Sequence, residues 1–186
     1  LVEMTLANVT LLVLTHNFIG FREHLTRTSA RAETMERLAF RDSLTELPNR
    51  LALERTLGDQ ISRYRPDAKV AVAFIDIDDF KLVNDSYGHA AGDRLLNVLA
   101  ARLGRAKQGG DAVFRISGDE FVMLFTGLSA GVSALGVGER VRAALAEPFE
   151  VGGQRLSVSA SVGVALCPDH GLEAGTLLRH ADTAMN

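Results

Sequence analysis

The sequence has little of what a cross-linked or broadly basic protein needs. Its 186 residues include one cysteine, four prolines and no tryptophan, and the formal net charge is −3. With Cys167 alone, no intramolecular disulfide and no cysteine zinc cluster can form, and we expect this thiol to be buried and inert. Without a basic excess the chain is not expected to bind nucleic acid, so any phosphate ligand must be held locally.

The chain does have enough apolar sequence for one core. A hydrophobic content of 47% with 23% charged residues excludes disorder and predicts a single globular domain with an appendage. The appendage contains the apolar run 4–21, which is about long enough to cross a bilayer but holds Asn8, His16 and Asn17. Arginines follow it, as the positive-inside rule expects after a last membrane span, whereas a weak heptad favours a long soluble helix. Both interpretations stay open.

Hydrophobic periodicity predicts helices and strands that alternate along the chain. The predicted helices cover 48–64, 89–105, 133–146 and 172–185, and a buried central strand is predicted at 69–76. Two strand pairs are predicted, one around 117–120 and one around Gly152-Gly153. Interleaved helices and strands favour an α/β domain. The apolar positions of the first two helices are Leu51, Leu53, Leu57, Ile61, Leu95, Val98, Leu99 and Leu103. In the third helix Leu135, Val141 and Leu145 are predicted to face inward.

The stretch FRISGDEFVMLF, 114–125, puts two adjacent acids, Asp119 and Glu120, in the turn of a predicted hairpin. Turns are often polar only because they are solvated, so these two acids indicate a functional site only if another acid lies close to them in the fold. The candidate is Asp76, at the end of the buried strand, where a carboxylate is costly unless it is paired. Two carboxylates ~4 Å apart repel by about 4 kcal/mol at an effective dielectric of about 20, which requires a proton or a cation such as Mg²⁺. An EF-hand calcium loop is excluded because Lys81 occupies the position that needs glycine.

Five motifs occur in the order RDSLTELPNR, FIDIDDFKLVNDSYGHAAGD, FRISGDEF, SVSASVGVAL and LLRHADTAM. From about Phe40 to Asn186 they closely resemble the GGDEF family of diguanylate cyclases. The resemblance implies an α/β (α+β) fold, with a central sheet like that of nucleotidyl cyclases and polymerase palms, surrounding helices, and a long N-terminal helix before it. It divides the chain into 1–40, a signalling helix or the end of a membrane span, and 41–186, the GGDEF domain.

The same resemblance implies a reaction. Members of the family condense two GTP molecules into cyclic di-GMP and release two pyrophosphates, with Mg²⁺ or Mn²⁺ as cofactor, for second-messenger signalling in bacteria. Each protomer holds one GTP, so a homodimer is required for catalysis. The implied location is a cytoplasmic catalytic domain, tethered to the inner membrane if residues 4–21 form a span.

The resemblance also implies a role for individual residues. Asp76, the carbonyl of Ile77, Asp119 and Glu120 would form the metal site. Asp119 and Glu120 would be catalytic, with Glu120 a ligand or the base for the 3′-hydroxyl. A carboxylate accepts hydrogen bonds from N1 and N2 of guanine, a donor pair that adenine lacks, so GTP is expected over ATP. The residues implied in GTP binding are Asn84 and Asp93, which match the guanine-reading pair, and Asp79, Phe80, Lys81 and Gly118 around the phosphates.

The chain departs from the family pattern at three places. Ser117 replaces the first glycine of the signature, which lowers activity if that position needs a positive φ. The family's product-inhibition motif, Arg-x-x-Asp, matches 108–111, but Gln108 stands for the arginine and only Asp111 remains, so weak or no inhibition is expected. The chain ends at Asn186, before the family's tyrosine and basic segment, so a C-terminally truncated domain is expected. An alternative therefore stays open: a catalytically weak or inactive GTP-binding regulatory module of a larger, for example EAL-fused, signalling protein.

Overall fold

A computed structural model of the chain describes residues 39–65, 68–151 and 153–186. One compact unit, Phe40–Asn186, holds the elements named below. Its helices are α1 (Arg50–Ser62), α2 (Phe80–Tyr87), α3 (His89–Ala106), α4 (Ala134–Leu145) and α5 (Ala174–Met185). Its strands are β1 (Ala68–Ile77), β2 (Ala112–Ser117), β3 (Glu120–Ser129), β4 (Phe149–Val151), β5 (Gln154–Leu156) and β6 (Ala160–Cys167).

Four strands form an antiparallel sheet in the order β2-β3-β1-β6, and β4 and β5 form a separate two-stranded sheet. In the large sheet β1 is an inner strand, since its Phe74 pairs with Val122 of β3 on one side and with Gly163 of β6 on the other. The buried strand predicted at 69–76 is thereby confirmed. The α/β fold class is confirmed as well, with helices on both faces of an antiparallel central sheet.

Alternate residues of β1 enter two separate cores. Ile75 and Ile77 belong to the core that α3 and α4 cover, whereas Val72 and Phe74 belong to the core that α1 and α5 cover. Successive side chains of a strand point to opposite faces, so a strand covered on both sides is apolar throughout. This explains the continuous apolar run in the sequence. It also assigns Asp76, the next even-numbered position, to the face of α1 and α5.

One apolar position in each of two helices is exposed. In α1, the apolar positions Leu53 and Leu57 are buried, but Leu51 is 51% exposed. In α4 the prediction that Leu135 faces inward is wrong, because Leu135 is 75% exposed and Val137 is buried instead. In both helices the exposed leucine stands two residues before the first buried position, which is the opposite side of a helix.

Two elements differ from the sequence-based prediction. The single strand predicted after Gly153 is two strands, because β5 ends at Leu156 and the chain then joins the large sheet as β6. The helix α2 has no counterpart among the predicted elements. Its eight residues make barely two turns, too few for a clear helical period. Cys167, at the end of β6, is buried as expected.

The segment 4–21, predicted as a membrane span or a long helix, lies outside the described residues. So does the heptad that follows it. In the three described ranges, no helix combines the length and the apolar character needed to cross a bilayer.

Gly163 of β6 allows α5 to approach the sheet closely. A Cβ placed there would lie 2.0 Å from the carbonyl oxygen of Ala181 and 2.3 Å from the backbone nitrogen of Met185. Because these atoms belong to helix backbone, the contact is relieved only if α5 moves. We expect Gly163→Ala to lower the free energy of unfolding by about 1–3 kcal/mol, the usual cost of overpacking, as measured by urea denaturation.

Gly138→Ala, in α4, is the matched control. A Cβ at Gly138 would meet only a side-chain atom of Val164, at 3.8 Å. Alanine favours a helix interior over glycine by up to about 1 kcal/mol, so this variant should be as stable as the parent protein or more so. Equal stability of the two alanine variants would contradict the close approach of α5.

Candidate active site

The acids that the sequence predicts to cooperate meet at one end of two inner strands of the large sheet. Asp76, near the end of β1, is the register partner of Glu120, the first residue of β3. Phe74 and Val122 show that the even-numbered residues of both strands face α1 and α5, so the two carboxylates lie on the same face. Residues paired directly across antiparallel strands have Cβ atoms about 4.5–5.5 Å apart, which is close enough for their carboxylates to interact.

Asp119 lies beside this pair, in the turn between β2 and β3. The direct partner of Asp76 is therefore Glu120, and Asp119 does not stand on the neighbouring strand as expected but one residue before it. Gly118 has φ = +46°, a conformation that favours glycine. Ser117 ends β2 and does not have a positive φ, so the serine in the first signature position introduces no backbone strain.

The pKa of Asp76 reflects the crowding of acids at this end of the two strands. Burial raises the pKa of Asp76 above its ordinary value of 3.8, and the charges of Asp119, Glu120 and Asp78 raise it further. A carboxylate in such surroundings is stabilised by a proton or by a cation. The donors available, carboxylates and the backbone carbonyl of Ile77, are the hard oxygen ligands that Mg²⁺ and Mn²⁺ take.

The acids do not form a complete metal cage by themselves. Across the described part of the chain, no group of three or more acidic, histidine or cysteine side chains is arranged to hold a metal ion. Mg²⁺ commonly keeps several waters and binds through one or two carboxylates together with substrate phosphates. The donor set therefore fits a divalent cation that arrives with a phosphate ligand.

The turn after β1 is shaped by Asp78 and Asp79. Asp78 accepts a hydrogen bond of 2.8 Å from the hydroxyl of Ser161, which ties the turn to β6. Asp79 has φ = +56° and precedes α2. Phe80 and Lys81, expected in a loop around phosphates, are instead the first two residues of that helix. Since the first N–H groups of a helix lack partners within it, this end of α2 is still suited to face a phosphate.

The two residues predicted to read guanine stand on helices that pack together. Asn84 belongs to α2 and Asp93 to the first turns of α3. Gly92 makes the contact possible: a Cβ there would lie 2.0 Å from Oδ1 of Asn84 and 3.1 Å from Cζ of Phe80. The amide of Asn84 thus lies against α3 one residue before Asp93, whose side chain is exposed. The structure therefore places Asp93 next to the helix–helix contact that Asn84 makes.

Asp111, the acid left from the inhibition motif, is engaged inside the domain. Its side chain is 2% exposed and pairs with Arg140 at 2.9 Å. It also accepts hydrogen bonds from the N–H of Gln108 at 3.0 Å and from the N–H of Thr126 at 3.3 Å. Asp111 therefore has a structural role, while the side chain of Gln108 carries no charge with which to bind a phosphate.

Two side chains touch the turn without having been predicted to do so. The hydroxyl of Ser117 donates to Oε2 of Glu120 at 2.5 Å. The guanidinium of Arg115 donates to the carbonyl oxygen of Gly118. The available signal for Arg115 was a charged residue inside an otherwise apolar strand. A cavity of about 560 Å³ between α1 and α5 has Glu120 in its wall, next to these contacts.

Comparison with known families agrees with this geometry. A family model described as "Diguanylate cyclase, GGDEF domain" matches residues 39–186. The chain belongs to the GGDEF family. Its signature positions are 117–120, where this GGDEF domain reads Ser-Gly-Asp-Glu.

Relatives of this GGDEF domain include proteins named for opposite activities. Diguanylate cyclase TpbB of Pseudomonas aeruginosa is 40% identical over 151 residues, covering 79% of the chain and 34% of the relative. Cyclic di-GMP phosphodiesterase PdeR of Escherichia coli is 38% identical over 162 residues, covering 87% of the chain and 24% of the relative. The chain thus spans about a quarter to a third of the length of these relatives.

A solved structure has the same architecture. The structure of a form of TpbB from Pseudomonas aeruginosa comprising only its GGDEF domain matches with a TM-score of 0.72 and 38% identity. The match covers 78% of this chain and 86% of that one.

Asp76→Asn tests the crowding of acids in this GGDEF domain. The folded pKa of Asp76 is raised, so protonation stabilises the fold at low pH and this contribution is lost as the pH rises through the raised pKa. At pH 7 without divalent cations we expect Asp76→Asn to be more stable than the parent protein, and the difference to disappear below pH 3.8. Thermal unfolding over a pH series measures this.

Asp59→Asn, an exposed acid on α1, is the control and should change stability by no more than about 0.5 kcal/mol at any pH in the series. An Asp76→Asn protein that is less stable than its parent at pH 7 would show that the neighbouring acids do not crowd Asp76. A gain of equal size in both variants would assign the effect to net charge instead.

Proposed function

We propose that the chain is the catalytic domain of a diguanylate cyclase, which condenses two GTP molecules into cyclic di-GMP and releases two pyrophosphates. The observation that carries this proposal is the meeting of Asp76, Asp119 and Glu120 where β1 ends and β3 begins. Three carboxylates in this position repel one another unless a cation stands between them, and a nucleoside triphosphate brings the remaining oxygen ligands. Membership of the GGDEF family and the cyclase among its relatives support the same activity.

Each acid has its own task in the proposed reaction. Asp76 and Asp119, with the carbonyl of Ile77, hold Mg²⁺ or Mn²⁺, and Glu120 is a further ligand or the base that takes the proton of the 3′-hydroxyl. A cation held by these residues would neutralise charge on the triphosphate while the nucleotidyl group is transferred. The 3′-oxygen forms a bond to the α-phosphorus of the second nucleotide, and the bond to pyrophosphate breaks with the electron pair leaving on pyrophosphate. Paired strands keep Asp76 and Glu120 in place, so little reorganisation is needed.

The substrate is recognised by α2 and α3. Asp93 accepts from N1 and N2 of guanine, and the amide of Asn84 serves O6 or N3. The phosphates lie at the start of α2, where the N–H groups of Phe80 and Lys81 face them and the Lys81 ammonium adds a point charge. The backbone around the phosphates is shaped by two residues of positive φ, Asp79 and Gly118.

Turnover requires two protomers. Each holds one GTP, and the two sites face each other so that each 3′-hydroxyl attacks the nucleotide of the partner. In this proposal residues 41–186 form the catalytic unit, and residues 1–40 are the signalling segment that sets how two catalytic units pair.

A second function, a GTP-binding regulatory module with little turnover, is favoured by one contact. The Ser117 hydroxyl donates to the carboxylate of Glu120, a bond that glycine in the first signature position cannot make. This bond uses an oxygen of Glu120 that a cation or the 3′-hydroxyl proton would need. The presence of a phosphodiesterase among the relatives is consistent with such a module.

Incubation with Mg-GTP separates the two functions. We expect the parent protein to release pyrophosphate and to form cyclic di-GMP, and Asp119→Ala to lose about 10²–10³-fold in rate because the site loses a ligand charge. Chromatography of the nucleotides measures both products. ATP in place of GTP should give no cyclic dinucleotide.

The exposed acid Asp59 on α1 offers the matched control, since Asp59→Ala should keep the parental rate. Ser117→Gly frees Glu120 and should turn over at least as fast as the parent protein. GTP binding without product in both the parent and Ser117→Gly would support the regulatory module and rule out the cyclase.

Titration with cyclic di-GMP tests the altered inhibition motif. Because Asp111 is paired with Arg140 and Gln108 offers no guanidinium, we expect micromolar product to leave the initial rate unchanged at saturating GTP. Saturating substrate removes simple competition at the active site. Micromolar inhibition that persists at saturating GTP and is lost in Asp111→Asn would contradict this expectation.

A further inference from the structure

We propose that Arg115 is a positioning residue that couples the start of the domain, 41–49, to the turn that carries Asp119 and Glu120. This role rests on the proposed function, since the turn matters because it would hold the cations. The proposal rests on the position of the Arg115 guanidinium, which lies between the carboxylate of Asp42 and the backbone of the turn at Gly118.

Arg115 makes hydrogen bonds in two directions. Its Nε and Nη2 donate to the carbonyl oxygen of Gly118 at 3.1 and 2.7 Å. Its Nη1 donates to Oδ1 of Asp42 at 2.8 Å, and its backbone N–H donates to the carbonyl oxygen of Pro48 at 3.0 Å. The Arg115 side chain is only 10% exposed, and its bond to Asp42 is partly buried, whereas its bonds to Gly118 lie at the surface.

The bonds to Gly118 restrain the peptide that leads into Asp119. The carbonyl carbon of Gly118 is joined to the nitrogen of Asp119, and the peptide unit is planar, so fixing the oxygen fixes the plane from which Asp119 starts. Gly118, with φ = +46°, has the widest choice of backbone conformations in the turn. Two donors on one oxygen restrict that choice. Arg115 thereby orients the turn acids without itself touching substrate or cation.

Asp42 holds the guanidinium from the other side. Its Oδ1 accepts from Arg115 and also from the N–H and the hydroxyl of Thr45, at 2.8 and 2.6 Å. Burial by itself raises the pKa of Asp42, but these hydrogen bonds and the charge of Arg115 outweigh it, so the pKa lies below its ordinary value. Asp42 is therefore ionised at neutral pH. A displacement of 41–49 that moves Asp42 would release Arg115 and, with it, Gly118.

Arg102 provides a matched comparison inside the same domain. Its guanidinium also donates to two backbone carbonyls, those of Glu147 and Pro148, and lies 3.9 Å from the centroid of the Phe149 ring. It joins α3 to the chain before β4 and does not reach the turn. Lysine in place of either arginine keeps the charge and removes the planar fork of donors. Both lysine variants should therefore lose stability, but only Arg115→Lys should disturb the turn.

The experiment compares the parent protein with Arg115→Lys, Asp42→Asn, the double variant and Arg102→Lys. Amide hydrogen exchange follows the turn 117–120, and electron paramagnetic resonance follows Mn²⁺ binding with a non-reactive GTP analogue. We expect Arg115→Lys and Asp42→Asn to exchange faster at the turn and to bind Mn²⁺ about tenfold more weakly, the loss usual for residues that orient metal ligands. The double variant should add little to Arg115→Lys, because both changes break one linkage. Arg102→Lys should match the parent in both measurements.

The linkage also works in reverse. Coupling between two sites is reciprocal, so saturating the turn with Mn²⁺ and the analogue should slow exchange of the Thr45 N–H in the parent protein and not in Arg115→Lys. Slowing in the parent alone supports the coupling. Equal slowing in both proteins would overturn it.

The outcomes distinguish this role from the proposed function. If Arg115→Lys loses stability like Arg102→Lys but keeps parental exchange at 117–120, Arg115 is a structural residue only and the cyclase proposal is untouched. If the parent protein binds no Mn²⁺, the proposed cation site fails, while the exchange of the turn still decides whether Arg115 positions it. The positioning role is supported if the turn exchanges faster in Arg115→Lys and Asp42→Asn and at the parental rate in Arg102→Lys. This holds whether or not the protein binds Mn²⁺.

Discussion

Repulsion among carboxylates that the sheet forces together is the constraint on which the rest of this domain depends. Strand register sets Asp76 opposite Glu120, and the hairpin turn adds Asp119 beside them. The fold gains no stability from this arrangement, because burial and neighbouring charges raise the pKa of Asp76. The cost is offset by two apolar cores that clamp β1 from both faces. Groups with perturbed pKa values held rigidly in this way are typical of functional sites.

Much of the fold could be predicted because the spacing of apolar residues along the sequence indicates which face of each element is buried. The run that became β1 is apolar on both faces, and α3 repeats its apolar residues over 18 positions, long enough to fix its phase. Shorter helices leave the phase open, so the apolar pattern puts Leu135 on the wrong side and does not show that Leu51 is exposed. The eight-residue α2 could not be recognised at all, since it follows a strand after a tight turn and offers two turns of helix for the period to show.

The acids of the site could be proposed from sequence because each sits in a local pattern, an acid ending an apolar strand and two acids in a hairpin turn. The pairing of Asp76 with Glu120 could not be predicted, since it depends on the register between β1 and β3. The register of β1 on β3, which pairs Ile75 with Phe121, determines that Glu120, and not Asp119, is opposite Asp76. The bond between Arg115 and Asp42 joins residues 73 positions apart and follows from no local pattern. The Ser117 contact with Glu120 likewise needed the turn geometry to become visible.

The absence of a Cβ at Gly92 has a consequence for related proteins as well. It leaves a recess that the amide of Asn84 and the ring of Phe80 fill, and any Cβ there would overlap the amide oxygen. A homologue with another residue in that alignment column must turn its asparagine away, even where every acid of the signature is intact. Sorting homologues by that one column would therefore separate chains that can keep the asparagine amide against this helix from chains that have kept the acids and lost the recess.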